Sequence, residues 1–282
     1  MDTVNKTDSV IMASYRDEHW YKITKKEQDF YIASVTTKLS VERIHAIEKW
    51  RGEIGNREAD LKMYESQNRG KRIHHAMEIF LKGGVVLYNS WERPTYSEED
   101  IKAMNADANG MVIVLHEQDE MLDVWKLQQF FDIVKPKILY SEKIVYSIEK
   151  DIAGTLDIAM EIEAGSYPVN GTKPLIIPKT GTYIADLKTG KVVEDKVWRQ
   201  LAPYCYAFEE MGIGKPLGAL VLHTQGITRS GIPGLSVKFA SKEELPAYLD
   251  DYFHLAAIWK RNNENAGPKI FSFPTKIQRK TK

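Results

Sequence analysis

The chain has a single cysteine, Cys205, which excludes an internal disulfide framework and any four-cysteine zinc or iron–sulfur site. Net charge is absent too. The 39 basic residues balance 39 acidic ones, so bulk charge neither suggests nor excludes a nucleic-acid partner and only local clustering can. No apolar run reaches the roughly 18 residues that a membrane-spanning helix needs. The N-terminal stretch carries Asp2, Asp8, Asp17 and Glu18 and has no apolar h-region, so it reads as neither a secretory signal nor a transit peptide, and a cytoplasmic location is expected. Internal repeats and a clear linker are also missing. The remaining composition, 43% apolar and 28% charged over 282 residues, is that of a soluble globular protein with ample length for a core.

Against this background one tetrapeptide, ADLK, occurs twice, in "READLKMYES" (57–66) and in "TYIADLKTGK" (182–191). The first copy lies in a polar run without Gly or Pro between Arg57 and Arg69, which predicts helix. Residues two apart on a helix point about 200° apart, so Asp60 and Lys62 cannot share a substrate. The second copy follows the β-prone Thr182, Tyr183 and Ile184 and stops at the turn signal Thr189-Gly190. A strand has a side-chain period of two, so Asp186 and Lys188 share a face. Only the second copy can be a site, and its neighbours decide whether it is more than a solvated pair.

The pattern along the chain predicts an α/β fold with a mixed sheet flanked by helices. Residues 28–37 read as a short strand leading into a turn. A mostly helical stretch runs from Val41 to Lys82, broken around Gly52–Gly55, and 95–134 read as helical again. Thus 34–134 form a mostly helical N-terminal part. A sheet core over 135–241 follows, with strands at 137–148, 153–162 and 181–188, a helix from Glu194 to Met211, and strands at 217–224 and 235–241. A Gly- and Pro-rich stretch, 163–180, reads as a long hairpin insertion. Residues 242–282 supply a C-terminal helix and a basic tail, and 1–282 read as a single domain.

Three segments complete the constellation. Asp157 lies between Leu156 and Ile158 on a predicted strand and faces away from both; two strand carboxylates joined by a hairpin can converge on one Mg²⁺, which demands hard oxygen ligands. In "RGKRIHHAMEIFLKG" (69–83), Ile73, Met77, Phe80 and Leu81 define a buried helical face. His74 and Glu78 fall together at its edge and His75 points to the opposite, solvated side. In "VWRQLAPYCYAFEEMG" (197–212), Gln200 and Tyr204 sit four apart on the margin of an apolar stripe, and Pro203 is expected to kink the helix.

In chain order these read G-x-x-x-H-x-x-x-E (Gly70, His74, Glu78), G-x-x-D (Gly154, Asp157), D-x-K (Asp186, Lys188) and Q-x-x-x-Y (Gln200, Tyr204). The arrangement resembles the RecB-like branch of the PD-(D/E)xK nucleases, with its restriction-endonuclease-like core. The opening "YIASVTTKLS" resembles that of the mitochondrial genome maintenance exonucleases and their phage relatives. The resemblance covers roughly residues 30 to 225. It implies that His74, Asp157, Asp186 and the Leu187 carbonyl are metal ligands for Mg²⁺ or Mn²⁺. It further implies that Lys188 is the catalytic lysine, with Gln200 and Tyr204 as substrate or active-site supports. Glu78 completes the first motif, and Glu142, in "YSEKIVYS", matches an acidic position on the preceding strand. The chain departs from the relatives in three respects. Ala33 stands where Pro is usual, 28 residues separate Asp157 from Asp186, and the cluster-binding cysteines are missing, which excludes an iron–sulfur cluster.

The function this implies is metal-dependent exonucleolytic hydrolysis of DNA, acting on single-stranded or otherwise free ends, with no membrane partner. A structure-specific endonuclease of the junction-resolvase type could use the same site, and a non-catalytic DNA-binding protein could share the fold. The second is disfavoured because a pure binder has no need for two converging carboxylates near phosphate. Two further expectations concern binding: a helical cap over 34–70 with Trp50 and Tyr64 for base stacking, and a phosphate-tracking tail over 269–282, which has five basic residues and no acidic one.

Overall fold

A computed structural model describes residues 9–15, 18–42, 45–170, 173–191, 195–226 and 232–268; the basic tail lies outside the described residues. The first element is one the sequence pattern did not announce in full. Strands β1 (Ser9–Tyr15), β2 (Glu18–Lys25) and β3 (Gln28–Ala33) form an antiparallel sheet, of which only the last was expected. Lys26 and Glu27 close the β2–β3 hairpin with φ of 48° and 65°, the two positive values that match a two-residue turn to the strand twist.

Ser34 then caps the short helix α1 (Val35–Lys38) by accepting from the Thr37 amide at 3.0 Å. Lys38 is buried and reaches the turn between the first two strands of the main sheet, where its ammonium donates to the Asp151 carbonyl and lies 2.9 Å from the Asp151 carboxylate. Helices α2 (His45–Ile54) and α3 (Asn56–Leu81) follow, and the expected break falls at Gly55, whose φ of 86° only glycine adopts without strain. The first ADLK copy lies on α3 as predicted. Ala59 is buried, Asp60 pairs with Arg51 of α2 and Lys62 with Glu58.

The helical reading of 95–134 needs correction. Helix α4 (Glu98–Asp107) and helix α5 (Gln118–Val134) are separated by a strand, β5 (Val112–Leu115), which pairs in parallel with β4 (Val85–Tyr88) across the α4 crossover. Apolar runs of four, VVLY and VIVL, are too short for periodicity to tell strand from buried helix.

The main sheet is built from β6 (Lys137–Ser147), β7 (Ile152–Ile162), β10 (Gly181–Lys188), β11 (Pro216–His223) and β12 (Ser236–Ser241). Between β7 and β10, the insertion is a small antiparallel pair, β8 (Gly165–Tyr167) and β9 (Leu175–Ile177), with a 3-10 turn after β8. Helix α6 (Lys196–Glu210) joins β10 to β11, and α7 (Leu245–Asn262) ends the described chain. Strand order is β12-β11-β10-β7-β6; β10 and β11 are parallel and the other neighbours antiparallel. The chain is therefore α/β, with a mixed sheet flanked by helices. Helix α6 continues through Pro203, which lies inside its span.

Side-chain alternation on β10 assigns the two faces. Tyr183, Ala185 and Leu187 enter the core shared with α3 and α5, where Ile73, Met77, Leu127 and Phe130 are buried. Ile184 enters the opposite core, against Leu201 and Phe208 of α6 and Tyr252 of α7. By the same parity Asp186 and Lys188 face α6. The N-terminal sheet packs Tyr21, Ile23 and Ile32 on Ala153 of β7, so it buttresses the end of the main sheet that carries the candidate site. Among the described residues no helix is long and apolar enough to cross a membrane.

Candidate active site

The site begins where two strands part. The β7–β10 ladder runs from Gly181↔Ile162 to Ala185↔Ile158 and stops, while β10 stays paired with β11 as far as Lys188↔His223. The next main-chain donor on β10, the Leu187 amide, gives its hydrogen bond to the Asp157 carboxylate at 2.7 Å. A side chain thus completes the ladder, and the Leu187 carbonyl accepts from His74 Nε2 at 3.1 Å, which fixes the imidazole over the gap.

Helix α3 comes this close because of Gly70: a Cβ there would meet Thr189 Oγ1 at 3.2 Å. Arg69, its neighbour, donates to the Thr189 carbonyl at 3.1 Å and pairs with Asp119 and Asp123 of α5, locking α3 to the turn after β10. With the helix so placed, His74 Nδ1 lies 3.6 Å from Asp157 Oδ2 and 3.9 Å from Glu142 Oε1. Ligand atoms of His74, Glu142 and Asp157 all lie within 4.8 Å of one another.

Glu142 enters this group through its backbone. It stands opposite Asp157, between the pairs Ser141↔Ile158 and Lys143↔Leu156, yet its φ is 51°, a left-handed value inside an eleven-residue strand. Such a conformation costs on the order of 1–3 kcal/mol in a residue with a Cβ and persists only where the surroundings impose it.

Asp186 and Lys188 form the second half of the site. Asp186 is 3% exposed; its Oδ1 accepts from Gln200 Nε2 at 3.0 Å, and its Oδ2 lies 2.7 Å from Lys188 Nζ as an ion pair. That Oδ2 has no aligned hydrogen-bond donor among the described residues. Lys188 also donates to Gln200 Oε1 at 3.3 Å, so one amide on α6 holds both members of the D-x-K pair. Tyr204, one turn on, is buried against Gly154, where a Cβ would fall 2.3 Å from its ring. Gly154 therefore exists to admit Tyr204. On the other side Tyr21 OH meets Thr155 Oγ1 at 2.9 Å.

The electrostatics are those of a crowded anionic site. Burial opposes a charge on His74, but Asp157, Glu142 and Asp186 together raise its pKa to about 9. Burial lifts Asp186 to about 6 against the pull of Lys188, with Asp157 adding to the rise. Burial works against the Lys188 ammonium, and Asp186 and Asp157 more than offset it, so its pKa is raised. Burial places the Tyr204 hydroxyl well above its ordinary range. The His74 shift has a definite sign for stability. A folded-state value above the ordinary 6.5 contributes stability fully below pH 6.5 and loses it as pH rises through about 9. The melting temperature of metal-free protein is expected to fall across that window, and His74→Asn should flatten the fall. Parallel pH profiles for the two proteins would exclude this role for His74.

The sequence-predicted site residues lie around the gap, with three adjustments. Among the described residues the cluster of possible ligand side chains is His74, Glu142 and Asp157 and does not take in Asp186, which is held instead by Lys188 and Gln200. Glu78 lines the same cleft as His74, but its carboxylate pairs with Lys82 at 2.5 Å and His75 at 3.4 Å. His75 is exposed, as expected, but does not point to the opposite side. One 100° step leaves it on the cleft rim beside His74. The far wall of this cleft is His19 of β2, to which no sequence signal pointed, and Thr36 of α1, which lies in the YIASVTTKLS stretch. Gln67 and Lys71, four residues apart and in line with His75, were findable from helical spacing. Comparison of the sequence with protein-family models and with curated proteins finds no match.

Proposed function

We propose that the protein is a metal-dependent nuclease of the PD-(D/E)xK type that degrades DNA from free single-stranded ends. One observation carries this: His74, Glu142, Asp157 and the Leu187 carbonyl converge at the parting of β7 and β10, with the Asp186–Lys188–Gln200 group beside them. Further support comes from the order of the elements that carry the motifs, α3, β6, β7, β10, α6 and β11, a helix–three-strand–helix–strand succession interrupted by β4 to α5 after α3 and by β8 and β9 after β7.

The donor set fits a divalent cation. Two carboxylates, an imidazole and a carbonyl are hard or borderline ligands suited to Mg²⁺ or Mn²⁺. The buried Asp186 carboxylate, ion-paired with Lys188 at 2.7 Å, adds a further anionic group beside them. The raised pKa of His74 reports the same demand for positive charge. His74, Asp157, Asp186 and the Leu187 carbonyl would hold the ion, with Glu142 as an additional carboxylate. Bound there, it would supply Lewis acidity toward a phosphodiester and acidify water.

The chain's own groups do the rest. Lys188, fixed by Asp186 and Gln200, presents an ammonium to charge developing on phosphorus or to the attacking water. Gln200 keeps that ammonium and the Asp186 carboxylate in register. Tyr204, packed on Gly154, holds α6 against β7 so that Gln200 cannot drift.

Action from ends is tested with linear and closed circular single-stranded DNA of one sequence under matched Mg²⁺. The linear form should disappear and the circle persist, and bulky blocks on both ends should stall degradation. Rapid cutting of the circle would favour the endonuclease alternative. Tight binding without cleavage of either substrate in Mg²⁺ or Mn²⁺ would make the protein a non-catalytic binder.

A further inference from the structure

We infer that the cleft face of α3, Gln67, Lys71 and His75, is a track that binds the phosphodiester backbone of a single strand on its way to the site. This rests on the nuclease reading above. The cleft measures about 660 Å³ and runs between α3 on one side and His19 and Thr36 on the other, with His74 and Glu142 on its lining. The three α3 residues recur at intervals of four, so they form a row rising about 6 Å per step and about 12 Å in all. Each offers a donor suited to phosphate oxygens: an amide, an ammonium and an imidazole.

Charge matching along the helix separates Lys71 from its neighbours. Arg69 is paired with Asp119 and Asp123, Arg72 with Glu120 and Lys82 with Glu78. Lys71 has no ion pair among the described residues, although it lines the same cleft as Glu78 and Glu142. A helix that neutralises its other cations around this region and leaves this one open to the cleft has not used it for stability. The cleft also needs such a group on physical grounds. Glu142 and Asp157 repel a polyanion, and a cation on the approach offsets that repulsion before the strand reaches them.

The test compares wild type with Lys71→Ala and, as a control on the same helix outside the cleft, Lys62→Ala. Binding of a fluorescent single-stranded oligothymidylate is followed against salt without divalent metal, and Mn²⁺ affinity is measured by calorimetry. Lys71→Ala should weaken oligonucleotide binding severalfold and lower the slope of log affinity against log salt by about 0.7, the value for one phosphate contact on a single strand. Mn²⁺ affinity should stay at the wild-type level, and KM should rise with kcat retained. Lys62→Ala should match wild type throughout. An unchanged slope for Lys71→Ala, in a wild type that binds the oligonucleotide, overturns the track and leaves the nuclease reading standing. A wild type that binds no oligonucleotide at low salt overturns both.

Discussion

Asp186→Asn and Lys188→Ala should each abolish metal-dependent cleavage of linear single-stranded DNA, with losses on the order of 10²–10³-fold or more, in proteins that still fold. Asp186→Asn keeps the shape of the side chain and its contact with Gln200 but removes the negative charge that holds Lys188 at 2.7 Å. Lys188→Ala removes the ammonium that Asp186 and Gln200 hold beside the gap between β7 and β10. The first ADLK copy supplies an internal control. Asp60 is largely exposed and pairs with Arg51, and Lys62 is exposed and pairs with Glu58. Exposed pairs of this kind contribute about 0–1 kcal/mol, so Asp60→Ala and Lys62→Ala should stay near wild type in both melting temperature and rate. End-labelled product analysis, with melting curves on the same preparations, checks both sets. A folded Asp60 variant without activity would show that the wrong copy has been assigned the chemistry.

A stability effect of comparable weight is expected away from the site, at Asp123. This carboxylate is fully buried and accepts from Arg69 at 2.5 Å, Lys126 at 2.8 Å and Gln225 at 3.0 and 3.1 Å. Arg69 in turn holds the Thr189 carbonyl and Lys126 the Thr224 carbonyl, so one buried anion ties together the ends of β10 and β11. Asp123→Ala leaves two partly buried cations without their common partner, which costs about 3–5 kcal/mol. For a chain of this size that is a fall in melting temperature on the order of 10 °C. Asp119 also pairs with Arg69, at 2.6 Å, but is 63% exposed, so Asp119→Ala should cost less than about 1 kcal/mol. Urea or thermal unfolding of the two variants separates them, and equal losses would show that burial does not set the cost.

What could be read from the sequence follows from how local each signal is. β10 and α6 announced themselves through runs whose period and stops lie within a dozen residues, and the shared face of Asp186 and Lys188 is a consequence of that period alone. Helical geometry set His74 at the edge of the buried face but overstated its separation from His75, since one 100° step leaves both on the cleft. Glu142 was different. Its place beside Asp157 depends on the β6–β7 register and on a left-handed backbone, and neither is encoded in its neighbours. His19 could not have been found at all, since β2 reaches the site only through the packing of the N-terminal sheet on β7. β4 and β5 were lost for a simpler reason: each is four residues long and needs the other to be a strand.

Leu187 divides its labour in a way that bears on what substitution can do. Its side chain is buried in the core with α3 and α5, while its amide serves Asp157 and its carbonyl serves His74. A donor and an acceptor that belong to the main chain cannot be deleted by exchanging one non-proline residue for another. Selection at this position therefore sees only volume and greasiness, and Ile or Met would keep the polar contacts that Leu makes. Part of the site is in that sense heritable without being spelled, carried by the place where two strands separate rather than by any letter at that place.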